Sequence, residues 1–254
     1  MLSHLLLTLP MLLCLAALLL RCAAAWGASP NLFRRFPSLW GEPQRTEEER
    51  CPEQRRIFLT ALAIRLLVLF AAVACVMLQA RESISFQECF QRLELWDVRH
   101  YINLAGQGYS GYQEDGQHLF LVFFPCYVWL VRLLSWVLPN TALAGALLST
   151  LCYAWGCCWV YKTGVECSGK KTAEDAVLFL SLFPYSFFFG TVMTEGLFLL
   201  TTSAACYCAL RHKWAAYAVW GCLSAMTRMT GFLVLVPAAV ELLKTVQPLR
   251  PPAG

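Results

Sequence analysis

Charge is scarce in this sequence: Asp, Glu, Lys and Arg make up 14% of its 254 residues, against about 25% in an ordinary soluble domain. Hydrophobic residues reach 58% and the mean hydropathy is +0.54. A freely soluble domain is excluded, because too little polar surface remains to clothe it. The expected fold class is all-α, a polytopic transmembrane helical protein. The net charge of +4 is spread between apolar runs and not gathered on one face, which excludes a nucleic-acid-binding surface. No Cys-x-x-Cys occurs among the 13 cysteines, and His4, His100, His118 and His212 are dispersed, so a structural metal centre is not expected. Most cysteines, Cys157 and Cys158 among them, lie inside apolar runs, where the thiol behaves as a small hydrophobe. Cys89 and Cys167 lie in polar stretches and form the candidate disulfide pair. Internal repeats, heptads and low-complexity tracts are also lacking.

What is present is a series of apolar runs. A bilayer core about 30 Å thick needs roughly 20 apolar residues per spanning helix. LLLTLPMLLCLAALLL (5–20) begins the first segment, 1–26. It reads as a retained span in preference to a cleaved signal, because MLSH lacks a positive start and Arg21 follows directly. Residues 27–56 are polar and rich in Arg and Glu, and IFLTALAIRLLVLFAAVACVMLQ (57–79) is the clearest span. The next polar stretch, 80–117, is net acidic. Cytoplasmic loops collect Lys and Arg, so 27–56 is expected in the cytoplasm and 80–117 on the opposite side. Further runs occupy 119–138, 141–161, 176–192, 194–210, 214–227 and 230–244, before a polar tail at 245–254. Placing Lys170, Arg211 and Lys244 in the cytoplasm brings Tyr185 to Glu195 and Arg228 beside the 80–117 loop. Two full spans between 119 and 161 would leave Lys170 on the wrong side. Either one of those runs is re-entrant or the charge rule fails there.

Within that loop Glu94, Asp97, Arg99, His100 and Tyr101 fall inside eight positions of the stretch LELWDVRHYINLAGQGY. Leu95, Val98, Ile102 and Ala105 follow helical spacing, which predicts a short amphipathic helix along the membrane surface. Asp97 stands at its first turn and Gly106, Gly108 and Gly111 follow as breakers. Spacing alone favours Trp96 as an interfacial anchor and Asp97 as a helix cap. Arg65 and Arg132 interrupt apolar runs and read as snorkelling side chains or inter-helix partners. The aromatics from Phe183 to Phe189 read as lipid-facing packing in preference to a prenyl-chain groove.

Three ordered motifs add a resemblance. Trp96, Asp97, His100, Gly108 and Tyr109, followed by Phe123, Phe124 and Pro125, resemble the first luminal loop of the PIG-V family, the GPI mannosyltransferase II enzymes and their bacterial relatives. LFLSLFPYSFFFGTVMTEG resembles that family's Leu-Ser-Pro segment ending in a Thr-Glu pair, at Ser181, Pro184, Thr194 and Glu195, although LSLFP stands where LSP is usual. AMTRMTGFL resembles its Thr-Arg-x-x-Gly segment, at Arg228 and Gly231. Family members are longer at the C-terminus, so the chain looks like the N-terminal part of such an enzyme, with 57–244 as the glycosyltransferase region.

The resemblance implies a GT-C type glycosyltransferase with its active site at the non-cytoplasmic face. The donor would be a polyprenyl- or dolichyl-phosphate sugar, mannose by the resemblance alone, and the acceptor a lipid-linked glycan or glycolipid. A sugar on a single lipid phosphate already has a leaving group, so one base suffices for an inverting displacement. Asp97 is the candidate base and Glu94 the alternative. Arg228, His100 and Arg99 are candidates to stabilise the departing phosphate. Trp96, Tyr101, Tyr109, Phe124, Pro125 and Glu195 complete the expected substrate contacts, with Glu195 a candidate partner of Arg228. No cofactor or metal is expected, since a lipid monophosphate donor does not require a divalent clamp. The membrane would be that of the endoplasmic reticulum in a eukaryote or the plasma membrane in a bacterium, and a membrane-protein subunit is a conceivable partner. The rival readings are a lipid-sugar transporter or flippase and a noncatalytic subunit. A transporter would show paired repeats and broken helices, neither of which is visible in the sequence.

Overall fold

The computed structural model describes residues 53–80, Glu88, Arg92, 96–118, 122–138 and 140–246. The expected span at 5–20, the polar stretch up to residue 52, Cys89, Glu94, Leu95 and the tail from 247 lie outside the described residues. Those described belong to the unit Arg45–Gly254. Among them the chain runs through α1 (Gln54–Gln79), α2 (Val98–Gln107), α3 (Pro125–Ser135), α4 (Thr141–Ser168) and α5 (Lys170–Leu182). A 3-10 segment (Pro184–Gly190), α6 (Glu195–Leu210), α7 (Trp214–Thr227), a second 3-10 segment (Met229–Val234) and α8 (Leu235–Val246) follow, and no strand occurs among the described residues.

Two helices are long and apolar enough to cross a membrane, or three if the Pro184–Gly190 segment and α6 form one bent span. α1 has 26 residues, about 39 Å at 1.5 Å per residue, and is apolar all round. Only 11% of its apolar stretch is buried within the protein, against 61% for the 28-residue α4. α4 is therefore the central helix and α1 a peripheral one, with Leu67, Phe70 and Leu78 exposed where lipid would lie. Asn140 caps α4 by accepting a hydrogen bond from the Leu143 amide at 3.0 Å. Gly169, at φ 85, ends it by donating to the Val165 carbonyl.

α4 and α6 pack side by side, running the same way. A Cβ on Gly196 would stand 2.3 Å from the Ser149 carbonyl oxygen, so only glycine allows this approach. Seventeen residues further along α4, Glu166 meets Arg211 beyond the end of α6 at 3.4 Å. At that same end Glu53, before α1, binds Arg56 and Lys170, each at 2.6 Å, and Arg56 also binds Glu174. α1 thus runs antiparallel to α4, and α5 returns alongside α1.

The apolar run 119–138 becomes α3, whose 11 residues reach about 16 Å, too short to cross. Pro125 occupies its first turn, where a missing amide hydrogen costs nothing, and Phe124 before it is extended. With α1 and α4 as the two long helices, Arg56 and Lys170 share one end of the bundle. Cys167, expected in a polar loop, instead lies in the last turn of α4.

The chain between α5 and α6 is broken, with a 94° bend between the Pro184–Gly190 segment and α6. Backbone groups freed by such a break need partners where water is absent. Side chains supply them. Ser149 Oγ donates to the Met193 carbonyl at 3.0 Å, Ser186 Oγ to the Ser181 carbonyl at 2.9 Å, and Arg65 Nη1 to the Ser186 carbonyl. Tyr127 Oη donates to the Gly145 carbonyl at 3.1 Å and lies 2.8 Å from Ser149 Oγ, tying α3 into the same network.

Candidate active site

α2 begins where expected, with Asp97 in the N-cap position, and ends at Gly108, whose φ of 79 and hydrogen bond to the Leu104 carbonyl stop the helix. Its buried face differs from the expected one. Val98, Tyr101, Leu104 and Ala105 are buried, together with His100, while Ile102 is only half-buried. The stripe turns toward Tyr101 because its ring meets Phe123 and Tyr127 edge-on at 4.9 and 5.2 Å. α2 is thereby packed onto α3 and α4, and both of these contacts fix the direction of its first turn.

Asp97 is exposed, and its carboxylate caps no amide. Only its backbone carbonyl is engaged, by the amides of His100 and Tyr101. The cap reading therefore fails: the carboxylate has no hydrogen-bond partner among the described residues. Beside it Trp96 holds a left-handed backbone at φ 53, unfavourable for a bulky side chain by about 1–2 kcal/mol. Its ring lies against Phe187 and Phe188 of the broken segment at 5.9 and 5.2 Å. Loop and broken segment meet through these aromatics.

The second and third motifs come together on the same side of α2. Arg228, at the end of α7, donates through Nη1 to Glu195 Oε1 at 2.6 Å and to Thr194 Oγ1 at 3.3 Å, with its guanidinium 5.8 Å from the Phe198 ring. Glu195 opens α6, where a carboxylate is favoured by the helix dipole, and its Oε2 is buried without a hydrogen-bond partner among the described residues. Tyr101 faces this pair. Burial pushes its phenol up to about 12, opposed by hydrogen bonding to Thr194 and reinforced by the Glu195 charge. Asp97 acts on it in the same direction as Glu195. One cluster thus contains Tyr101, Thr194, Glu195 and Arg228, and Asp97 stands one helical turn before Tyr101 at the start of α2.

His100 and Arg99 point elsewhere. Both converge on Glu114, which the sequence reading did not single out. Arg99 binds its Oε1 at 2.8 Å, and His100 Nδ1 stands 3.3 Å from Oε2 and 3.0 Å from Tyr112 Oη. The His100 ring also lies 5.3 Å from Phe123. A hairpin-like bridge between Glu114 and Gln117 presents the carboxylate, and nothing in a 15-residue separation announces the pairing. Tyr109 donates to the Phe123 carbonyl at 2.8 Å and so closes the loop. Phe124 and Pro125 form the start of α3. These three residues hold the loop to the helix, and Glu94 lies outside the described residues. Among the described residues no three His, Cys, Asp or Glu side chains gather as a metal-ligand set.

Comparison with known protein families, curated proteins and solved structures finds no match.

Proposed function

We propose that the chain is a membrane glycosyltransferase of GT-C type, transferring a hexose from a lipid-phosphate donor to a hydroxyl acceptor with inversion. The observation that carries this reading is the Asp97 carboxylate, exposed and without a hydrogen-bond partner among the described residues, one turn before the Tyr101 that faces Glu195 and Arg228. In the proposed step Asp97 takes the proton of the acceptor hydroxyl as its oxygen bonds to the anomeric carbon. The bond from that carbon to the phosphate oxygen breaks, and the lipid phosphate leaves with the electron pair. Glu195 Oε2, lacking a hydrogen-bond partner among the described residues, suits a sugar or acceptor hydroxyl, and Arg228 holds Glu195 in place. Trp96 with Phe187 and Phe188 offers an apolar face for the sugar ring or the first prenyl units. Mannose, and the PIG-V relationship itself, rest on the resemblance. The charge rule puts this end of the bundle on the non-cytoplasmic side, opposite Arg56 and Lys170.

The broken segment between α5 and α6 favours a second reading, a lipid-sugar transporter, since such proteins bind substrate at unwound helices. Replacement of one carboxylate separates the two. Purified protein is assayed for transfer of labelled mannose from a polyprenyl-phosphate donor. Loss of Asp97 as general base should lower the rate about 10²–10⁴-fold in Asp97→Asn with folding unchanged. Equal rates for the two proteins would remove Asp97 from the mechanism, and substrate movement without turnover would favour the transporter.

A further inference from the structure

Arg65 is the only fully buried Lys or Arg among the described residues, and no carboxylate among them pairs with it. It stands in the first half of α1, beneath the Pro184–Gly190 segment. Nη1 donates to the Ser186 carbonyl and lies 3.4 Å from Ser186 Oγ. The guanidinium carbon sits 4.4 Å from the Tyr153 ring centre and 5.8 Å from that of Phe189. Gly190 presses on its stem, since a Cβ there would be 2.9 Å from Arg65 Cδ. The side chain is therefore held in one place, but Nε and Nη2 are buried with no hydrogen-bond partner among the described residues.

Those two atoms are not an arbitrary pair. Nη1 lies on the Cδ side of the guanidinium, so Nε and Nη2 form the opposite edge, the two-pronged fork that matches two oxygens of a phosphate or carboxylate. Capping the Ser186 carbonyl needs one neutral donor, and a Gln would provide it. A charged fork buried and left open is retained at a cost unless an oxyanion completes it. The cations expected to receive phosphate are already matched: Arg228 by Glu195, and Arg99 and His100 by Glu114.

We propose that the open Nε–Nη2 edge of Arg65 is the binding site for a lipid-borne phosphate. The proposal rests on the glycosyltransferase reading in taking that lipid to be the polyprenyl-phosphate donor, though a bilayer phospholipid carries the same chemistry. Access requires the Pro184–Gly190 segment to move aside. The segment is set off from α5 and α6 by Phe183 and Thr191, both with non-helical backbone. Phe183 just before that segment and Tyr185 within it are exposed, and Phe187 and Phe188 meet Trp96 next to Asp97. Phosphate on Arg65 and base on Asp97 would thus border one movable element.

The test uses the full chain in maltoside detergent, which carries no phosphate, with binding read by native mass spectrometry. Wild type should bind decaprenyl phosphate at least tenfold more tightly than decaprenol. Arg65→Gln should reduce that preference to within twofold, Arg65→Lys should retain a fraction of it, and Asp97→Asn should leave it intact. A tenfold preference surviving in folded Arg65→Gln overturns the proposal. If that variant does not fold, a diazirine-bearing decaprenyl phosphate on wild type should label α1 and residues 183–190, and labelling confined to other segments overturns it instead. Dioleoyl phosphatidic acid competing equally, with the same Arg65 dependence, would identify a bilayer phospholipid as the source, whereas failure to compete would identify the polyprenyl lipid. Arg65-dependent binding without sugar transfer keeps the phosphate site and removes the glycosyltransferase reading. Transfer by Arg65→Gln with an unchanged donor KM does the reverse.

Discussion

Replacing Arg228 by Met and Glu195 by Gln, singly and together, distinguishes an ion pair that holds the fold from one that holds a substrate. The two side chains are 43% and 30% exposed and 2.6 Å apart. In so accessible a position the Coulomb attraction is largely offset by solvation and side-chain entropy, leaving about 1 kcal/mol or less. Glu195 also loses its interaction with the start of α6, worth about 0.3–1 kcal/mol. Arg228→Met should therefore cost about 1 kcal/mol or less and Glu195→Gln about 2 kcal/mol at most, falls in Tm of up to about 4 and about 8 °C for a chain of this size. Activity should suffer more. A hydrogen bond from a charged group to a sugar hydroxyl contributes about 1.5–3 kcal/mol, which is roughly a 10–150-fold loss of transfer. Thermal unfolding followed by tryptophan fluorescence and transfer at a temperature where every variant is folded give the two readouts. A folding coupling energy above about 2 kcal/mol from the double-mutant cycle, with transfer falling less than threefold, would refute this assignment and make the pair a structural strut.

Further expectations concern the scaffold around this pair. Gly196→Ala places a methyl group 2.3 Å from the Ser149 carbonyl oxygen, so α4 and α6 must separate; overpacking of this kind costs about 1–3 kcal/mol, to be read from the same unfolding curves. Burial raises the Tyr101 phenol from its ordinary 10 to about 12, so the folded protein holds that proton longer than the unfolded chain. Its contribution to stability is complete below pH 10 and is lost as pH rises toward 12, and unfolding of Tyr101→Phe should show a shallower alkaline decline than wild type. Cysteines introduced at Glu114 and Lys170 should react differently with a membrane-impermeant maleimide in sealed vesicles, one accessible and the other protected. Equal labelling of both would contradict the two-ended bundle on which the topology rests.

Features that depend on neighbours in the chain were legible. Spanning length is a sum over consecutive residues, and residues 57–79 and 141–161 both lie within the two long helices. The start of α2 at Asp97 and its stop at Gly108 follow from local backbone chemistry, whereas the run expected from 119 holds a helix only from Pro125. Local spacing was less reliable for the buried face of α2, because a contact between Tyr101 and the rings of Phe123 and Tyr127 outweighs a weak aliphatic stripe. The gathering of Thr194, Glu195 and Arg228 near Asp97 was anticipated through the motifs, but their pairing was one alternative among several.

Hydropathy and local punctuation by themselves determined that this is a helical membrane protein and where most of its helices begin, since both are properties of contiguous sequence. Tertiary structure alone decided which charges are matched. Glu114 reaches Arg99 and His100 across a turn, Glu195 reaches Arg228 from another helix, and the Arg65 guanidinium meets a carbonyl, a hydroxyl and two aromatic rings but no carboxylate among the described residues. A charge in an apolar run looks the same in sequence whether it is paired or not. Its partner is set by which helix ends and breaks are brought within about 3 Å, and only folding brings them there.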